Sequence, residues 1–309
     1  MGKSWPGCCD RNDYYSSPNL CQLLADQAEK KQRNYAELLH LVQSRIADKQ
    51  SLDEPIRGEV LLNPPLHRTS CDDYYLPITQ LLLQHSADGN ATNYHRDTPL
   101  HYAAENICLK TLQCLIEKKA NPDALGHFER TPLYLICDPS NDTYDTSKER
   151  KRVLAATLLL KAGANPNIKS LGATPLHELI GFPFKRYTFQ NALMNSKGHE
   201  IFIKNRKELI KLLLDHSGDL SITNSRDQTP LEKADYHHPA CSQENMNNCK
   251  ELANFAIEYL NDSRKKLVAG MMTPLKSSTF SPFMKLPKEL VKMIVFMVYP
   301  SHKKISKSA

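Results

Sequence analysis

Thr98-Pro99-Leu100-His101 decides how this chain folds, because it comes back. It stands unchanged as Thr174-Pro175-Leu176-His177. It stands with a new fourth residue as Thr131-Pro132-Leu133-Tyr134 and Thr229-Pro230-Leu231-Glu232, and with a new first one as Pro64-Pro65-Leu66-His67. A leucine-rich phrase follows four of these, at Leu81-Leu82-Leu83, Leu115-Ile116, Leu158-Leu159-Leu160 and Leu212-Leu213-Leu214. A proline just inside a helix start forfeits no hydrogen bond, since that N–H has no partner within the helix. A threonine before it caps the turn. The leucine phrase reads as the apolar face of a second helix, ended by left-handed residues at Gly163 and Gly218. Asn and Asp then seed the turn to the next unit. The histidines of the opening phrase (His67, His101, His177) are expected to hydrogen-bond locally and brace neighbouring units. Each pair of helices is too small to bury its own apolar face, so neighbouring pairs must stack.

The prolines are spaced by 34 residues (65 to 99) and 33 (99 to 132). This period, with the Thr-Pro-Leu-His opening, resembles the ankyrin repeat. By motif the resemblance covers Asn63 to Asn261. It implies an all-α ankyrin-repeat solenoid of helix-turn-helix units with short β-turn tips, and a function in holding another protein rather than catalysis. The default ankyrin binding surface is the concave face of tips and first helices. The tip candidates by repeat position are Asn93, Tyr94, His95 and Asp97, then Leu125, His127, Phe128 and Arg130. Ser170 and Leu171 follow, and after them Asn224, Ser225, Arg226 and Asp227.

The later spacings, 43 and 55, carry about ten and twenty-two extra residues. Both insertions, at 138–152 and 181–205, fall between the first and second helices of their units. The first is polar and ends in the charged run Lys148 to Arg152. The second carries Phe182, Phe184, Tyr187 and Phe189 beside Lys185 and Arg186. Aromatics and Arg are enriched at interface hot spots, so this loop is either a binding loop or apolar padding packed back on the repeats.

The flanks are less regular. Residues 1–15 read as a flexible leader. Residues 16–62 read as N-terminal capping helices or a degenerate repeat, from the periodicity of Leu20, Leu23, Leu24, Leu38, Leu39, Leu41, Val42 and Ile46. After Asn261 comes a linker over 262–284, a helix over 285–300, and a basic tail over 301–309. In the helix, Leu286, Leu290, Met293, Ile294 and Met297 form one apolar stripe. Leu286-Pro287-Lys288-Glu289-Leu290 resembles the opening of an F-box. At the end of an ankyrin chain it is similar to the truncated F-box-like segment of poxviral (PRANC-type) ankyrin proteins and some intracellular bacterial effectors. That resemblance implies docking of a SKP1-like adaptor of a cullin ubiquitin ligase through Leu286, Pro287, Leu290, Ile294 and Met297. Only 22 residues follow Pro287, short of the two further helices a complete F-box needs. The alternative is a plain C-terminal cap on the solenoid.

The remaining composition narrows the classes. The chain has 309 residues, 40% hydrophobic and 24% charged, a foldable balance. Ten Lys or Arg against Glu289 alone lie between Arg264 and Ala309, a net of +9, which leaves −3 for the rest of a chain at +6. The basic character belongs to the tail, so a nucleic-acid groove along the repeats is not expected. No apolar run reaches the length of a membrane span. The nine cysteines lack disulfide or zinc spacing. Cys108, Cys114 and Cys137 sit where small apolar residues serve, which points to a reducing, cytoplasmic setting, inside a host cell on the effector reading. His237, His238, Cys241 and Cys249 match no standard zinc module. No P-loop, dinucleotide phrase, His-Glu-x-x-His or nucleophile elbow is present. The expectation is a monomeric protein-binding module without cofactor or metal.

Overall fold

The computed structural model describes residues 20–55, 63–138, 146–181, 196–235 and 243–272. The leader, the aromatic part of the second insertion and the whole segment 285–300 lie outside these residues. The regular elements are helices: α1 (Leu20–Ala47), α2 (Pro65–Thr69), α3 (Leu76–Gln84), α4 (Pro99–Glu105), α5 (Leu109–Glu117), α6 (Pro132–Cys137), α7 (Thr146–Lys161), α8 (Pro175–Ile180), α9 (Ser196–Asp215), α10 (Pro230–Asp235) and α11 (Gln243–Met272). The all-α helix-pair architecture expected from the sequence is the one adopted.

The chain forms two compact units. The described residues of the first lie within Met1–Asn141 and Arg150–Leu171, and those of the second within Asp142–Glu149 and Gly172–Ala309. In the first unit α2, α4 and α6 lie side by side as first helices, with α3 and α5 behind them. Leu66, Leu82, Leu100, Leu112, Leu115, Leu133 and Leu159 are fully buried there. Of residues 16–62, the described part, 20–55, holds one long helix, α1. Tyr35 of α1 packs edge-on to Tyr74 at 5.2 Å and stacks on Tyr75 at 6.1 Å, and Lys31 pairs with Asp72 at 2.6 Å. Arg45 then ties down the following loop through the carbonyls of Glu54 (2.7 Å) and Pro55 (3.2 Å). In the second unit α8 and α10 are the first helices, with α9 and α11 behind them.

Five first helices begin with proline, and in four of them the threonine before it has an N–H to satisfy. Thr98 N–H donates to Nδ1 of His101 at 3.0 Å, and Thr174 N–H to Nδ1 of His177 at 3.1 Å. Because Nδ1 accepts, the proton sits on Nε2, which donates to the next tip: His101 to Arg130 O at 2.9 Å, His177 to Gln228 O at 2.9 Å. His67 likewise reaches Asp97 O at 2.8 Å. Its start, however, carries Pro64, which has no N–H and no hydroxyl, and the buried Nδ1 of His67 is left without a hydrogen-bond partner. Where Tyr134 replaces the histidine, Thr131 N–H turns to Ser170 Oγ at 3.2 Å. Where Glu232 replaces it, the carboxylate accepts from Thr229 N–H at 2.8 Å and its hydroxyl at 3.0 Å, a capping box.

The second helices end alike. Ser86, Lys119, Gly163 and Ser217 take positive φ (68°, 63°, 94° and 67°). The next residue's N–H reaches back to Leu82, Leu115, Leu159 or Leu213 O at 2.8–3.0 Å, the Schellman closure. Gly218 is therefore not the left-handed residue expected of it. The turn is completed one position earlier, by Ser217. Gly218 serves close approach instead, since an added Cβ would stand 2.7 Å from Leu213 O.

The insertions also end sooner than expected. Lys148 to Arg152 lies in α7, and residues 196–205 lie in α9. In both lengthened helices the residue six before the leucine phrase is a buried arginine. Arg152 Nη1 donates to Ile136 O at the end of α6. Arg206 Nη1 donates to Leu179 O at 2.7 Å and Glu178 O at 3.2 Å at the end of α8. The uninserted repeat that opens at Pro99 has Cys108 at this place, and its α4 is closed locally by Cys108 N–H to Ala103 O at 2.9 Å. An inserted loop removes that local donor, and the arginine replaces it. Cys108 and Cys137 are buried, whereas Cys114 is half-exposed, and none of the three is in a disulfide.

The buried imidazoles make the fold acid-sensitive. Burial, against the opposing hydrogen bond to Asp97 O, lowers the His67 pKa to about 4, and burial also lowers that of His101. The unfolded chain accepts these protons near pH 6.5 and the folded chain does not. Stability is thus complete above that pH and lost as pH falls toward 4. His67 alone accounts for about 3 kcal/mol of this loss, at ~1.4 kcal/mol per pH unit. Urea unfolding midpoints measured from pH 7.5 to 4.5 should fall steadily; a flat profile would contradict neutral bridging.

Candidate functional site

The tips of the first unit gather the aromatic candidates. At the first tip Asn93 folds the turn on itself: its Oδ1 accepts from His95 N–H and Asp97 N–H, both at 3.0 Å, and its own N–H donates to Asp97 O at 3.1 Å. Asn224 does the same for its own tip in the second unit, with Arg226 N–H at 2.8 Å and Gln228 N–H at 3.1 Å. Both asparagines are buried and occupied, so neither offers a partner the contact expected from tip position.

The second tip has Gly126 at this place and lacks the internal acceptor. Asp97 of the preceding tip supplies it, its Oδ1 accepting His127 N–H at 2.8 Å. The glycine is what admits that carboxylate, because an added Cβ would stand 2.2 Å from Asp97 Oδ1 and 2.8 Å from His101 Nε2. Beyond it the backbone turns left-handed twice, at Phe128 (φ 57°, ψ 32°) and Glu129 (φ 57°). A bulky residue held at positive φ stores strain of about 1–3 kcal/mol. Here that strain holds a phenyl ring in solvent, 57% exposed.

The rings form one chain across the two tips. Tyr94, 72% exposed, lies 5.4 Å from His95; His95 lies 4.4 Å from His127; His127 lies 3.8 Å from Phe128. The Arg130 guanidinium sits over the Phe128 ring at 5.6 Å. Leu125 and Leu171, also exposed, stand on the second and third tips. Among the described residues, then, four of six exposed large hydrophobics (Tyr94, Leu125, Phe128 and Leu171) belong to tips of one unit. Below them Tyr102, Glu105, Asp97 and Arg130 line a small hollow on α4. Tyr102 Oη is tied to Asn93 Nδ2 at 2.9 Å and Asn63 Oδ1 at 3.1 Å, and burial raises its pKa. Partial burial, then His95, lowers the His127 pKa, and Arg130 adds to this against the pull of Asp97.

Of the residues singled out in the sequence, Tyr94, His95, His127, Phe128 and Arg130 are thus brought together. Phe182, Phe184, Tyr187 and Phe189 lie outside the described residues, as do Leu286, Pro287, Leu290, Ile294 and Met297. The Asp97–Gly126 exchange was not foreseen; its signal was Gly126 standing where Asn93 and Asn224 stand. Among the described residues no group of His, Cys, Asp or Glu could hold a metal, and no helix is long and apolar enough to cross a membrane.

Comparison with known proteins agrees with this geometry. Residues 24–126 match the family model for ankyrin repeats in three copies. Protein fem-1 homolog A of Rattus norvegicus is 36% identical over 61 residues, 20% of this chain and 9% of that protein. An ankyrin repeat protein of fowlpox virus is 28% identical over 110 residues, 35% of this chain and 13% of that protein. The chain thus spans only a small part of the length of these relatives. The crystal structure of an ankyrin repeat domain from Acinetobacter baumannii AYE shares the fold with a TM-score of 0.50 at 19% identity, over 72% of this chain and 94% of that domain. The chain carries ankyrin repeats, and such repeats are a scaffold for protein–protein interaction.

Substituting Gly126 by alanine should displace the Asp97 carboxylate and leave His127 N–H unpaired, lowering stability by about 1–3 kcal/mol. Urea unfolding of Gly126→Ala would show it; a midpoint equal to that of the unchanged chain would mean that Asp97 does not hold this tip.

Proposed function

We propose that this chain grips a target protein with the tips of its first unit and presents it to a cullin-type ubiquitin ligase, as an effector acting inside a host cell. The observation that carries the first half is the chain of rings from Tyr94 to Phe128, exposed at both ends and held at Phe128 under backbone strain. Apolar surface kept in water on a soluble scaffold marks an interaction site, and Tyr and Arg are favoured anchors. Partner-binding residues on this reading are Tyr94, His95, His127, Phe128 and Arg130, with the 182–189 aromatics as a second contact. Proximity is the whole mechanism: holding target and ligase on one chain raises their effective concentration.

The second half rests on the Leu-Pro-x-Glu-Leu phrase and its apolar stripe, and is supported by the likeness to a poxviral ankyrin protein. It is also favoured over a plain cap by α11. That helix leaves Glu251, Glu258 and Asp262 exposed, polar residues of the kind that close a repeat stack. A stack so closed has little need of another cap.

The two halves separate in one pull-down from eukaryotic lysate. Tyr94→Ala with Phe128→Ala should lose the target and keep the ligase adaptor. Leu290→Asp with Ile294→Asp, or a chain ending at Phe280, should keep the target and lose the adaptor. Adaptor absent with every version sinks the recruiting half, and a target retained by the tip variant sinks the first half.

A further inference from the structure

Two tips from successive repeats are fastened to each other at two points. One is the Asp97 carboxylate on His127 N–H at 2.8 Å. The other is the imidazole pair, His95 and His127, with ring centres 4.4 Å apart and planes inclined by 39°. Of the two fasteners, only the imidazole pair changes charge in the range where an unperturbed histidine titrates.

Neutral imidazoles stack through their faces, and one imidazolium still rests favourably against an aromatic neighbour. Two imidazoliums at this separation repel, and little solvent lies between rings in contact. The surrounding charges relieve the repulsion only in part, since Asp97 favours a proton on His127 while Arg130 opposes it. Arg130 adds a positive group over Phe128, and Asp97 is the single carboxylate already engaged with the pair, through the His127 amide. Arg96 and Glu129 are the remaining charges on the two tips, and His101 and Glu105 face up from α4. His95 and Arg130 both oppose a proton on His127.

We propose that the His95–His127 stack is a proton-operated latch between the two tips, closed while at most one ring is charged and open when both are. Closed, it aligns Tyr94 with Phe128 as one surface; open, it lets the tips part and disperses that surface. What the latch controls rests on reading these tips as the target-binding face, but the latch itself is a property of the free chain.

The test is nuclear magnetic resonance on the full chain with labelled histidine, titrated downward from about pH 7.5 over the range in which far-UV circular dichroism is unchanged. Proximity signals between the two rings are expected at the upper end and should vanish as the second ring protonates. In His95→Gln the His127 midpoint should move up toward the ordinary value near 6.5. A stack that survives with both rings charged overturns the proposal, as does a His127 midpoint unchanged by His95→Gln. Because the readout needs no partner, latch failure leaves target binding by the tips intact, and failure of the tip variants in pull-down leaves the latch intact.

Discussion

A neutral imidazole joins each histidine-bearing first helix to the tip that follows it, and the rest of the structure depends on that bridge. Nε2 of His67, His101 and His177 donates to the carbonyl just before the next helix start. The partners lie 30, 29 and 51 residues away, yet the bond is the same. An insertion of more than twenty residues therefore leaves the register of the stack untouched, because loop length costs little once the ends are pinned. At His101 and His177 the other nitrogen satisfies a backbone N–H that proline at the first helical position has left exposed. One ring thus does a local and a non-local task at once, at the cost of being unable to charge.

The bridge also builds the site. It lands on Asp97 and Arg130, whose side chains shape the two aromatic tips. Asp97 receives His67 on its carbonyl, gives its N–H to Asn93, and lends its carboxylate to His127. Three repeats meet at one residue. That convergence is what holds Phe128 at positive φ with its ring in water. A lone tip would relax, whereas a tip clamped by its neighbour keeps its strain and its exposure.

The stack was legible in the sequence because its determinants are local and repeated: proline at a helix start, threonine before it, leucines on one face. The histidine role was legible for the same reason. Gly218 misled because glycine alone is a weak marker of a left-handed residue when Ser86, Lys119 and Ser217 adopt it too, under the pull of the Schellman hydrogen bond. The ends of the insertions misled because charged residues such as Lys148 and Arg150 serve equally as loop and as helix surface. Arg152 reads as part of a charged run and Arg206 carries no signal of its own, and only packing reveals that they replace a missing loop donor. The site was half legible. Tip position named Tyr94, His95, His127, Phe128 and Arg130, but their contact depends on the Asp97 carboxylate entering the space over Gly126, a relation between residues 29 apart that no periodic pattern encodes.

The central claim is that the tips of the first unit face the target. Placing a photo-crosslinking amino acid at Phe128, and in a separate chain at Leu154, tests it most directly. Both positions are exposed, 57% and 56%, but only the first lies in the ring chain. Irradiation in eukaryotic lysate should give a discrete adduct from position 128 and none from 154. An adduct from 154 alone, or the same adduct from both, would contradict the account.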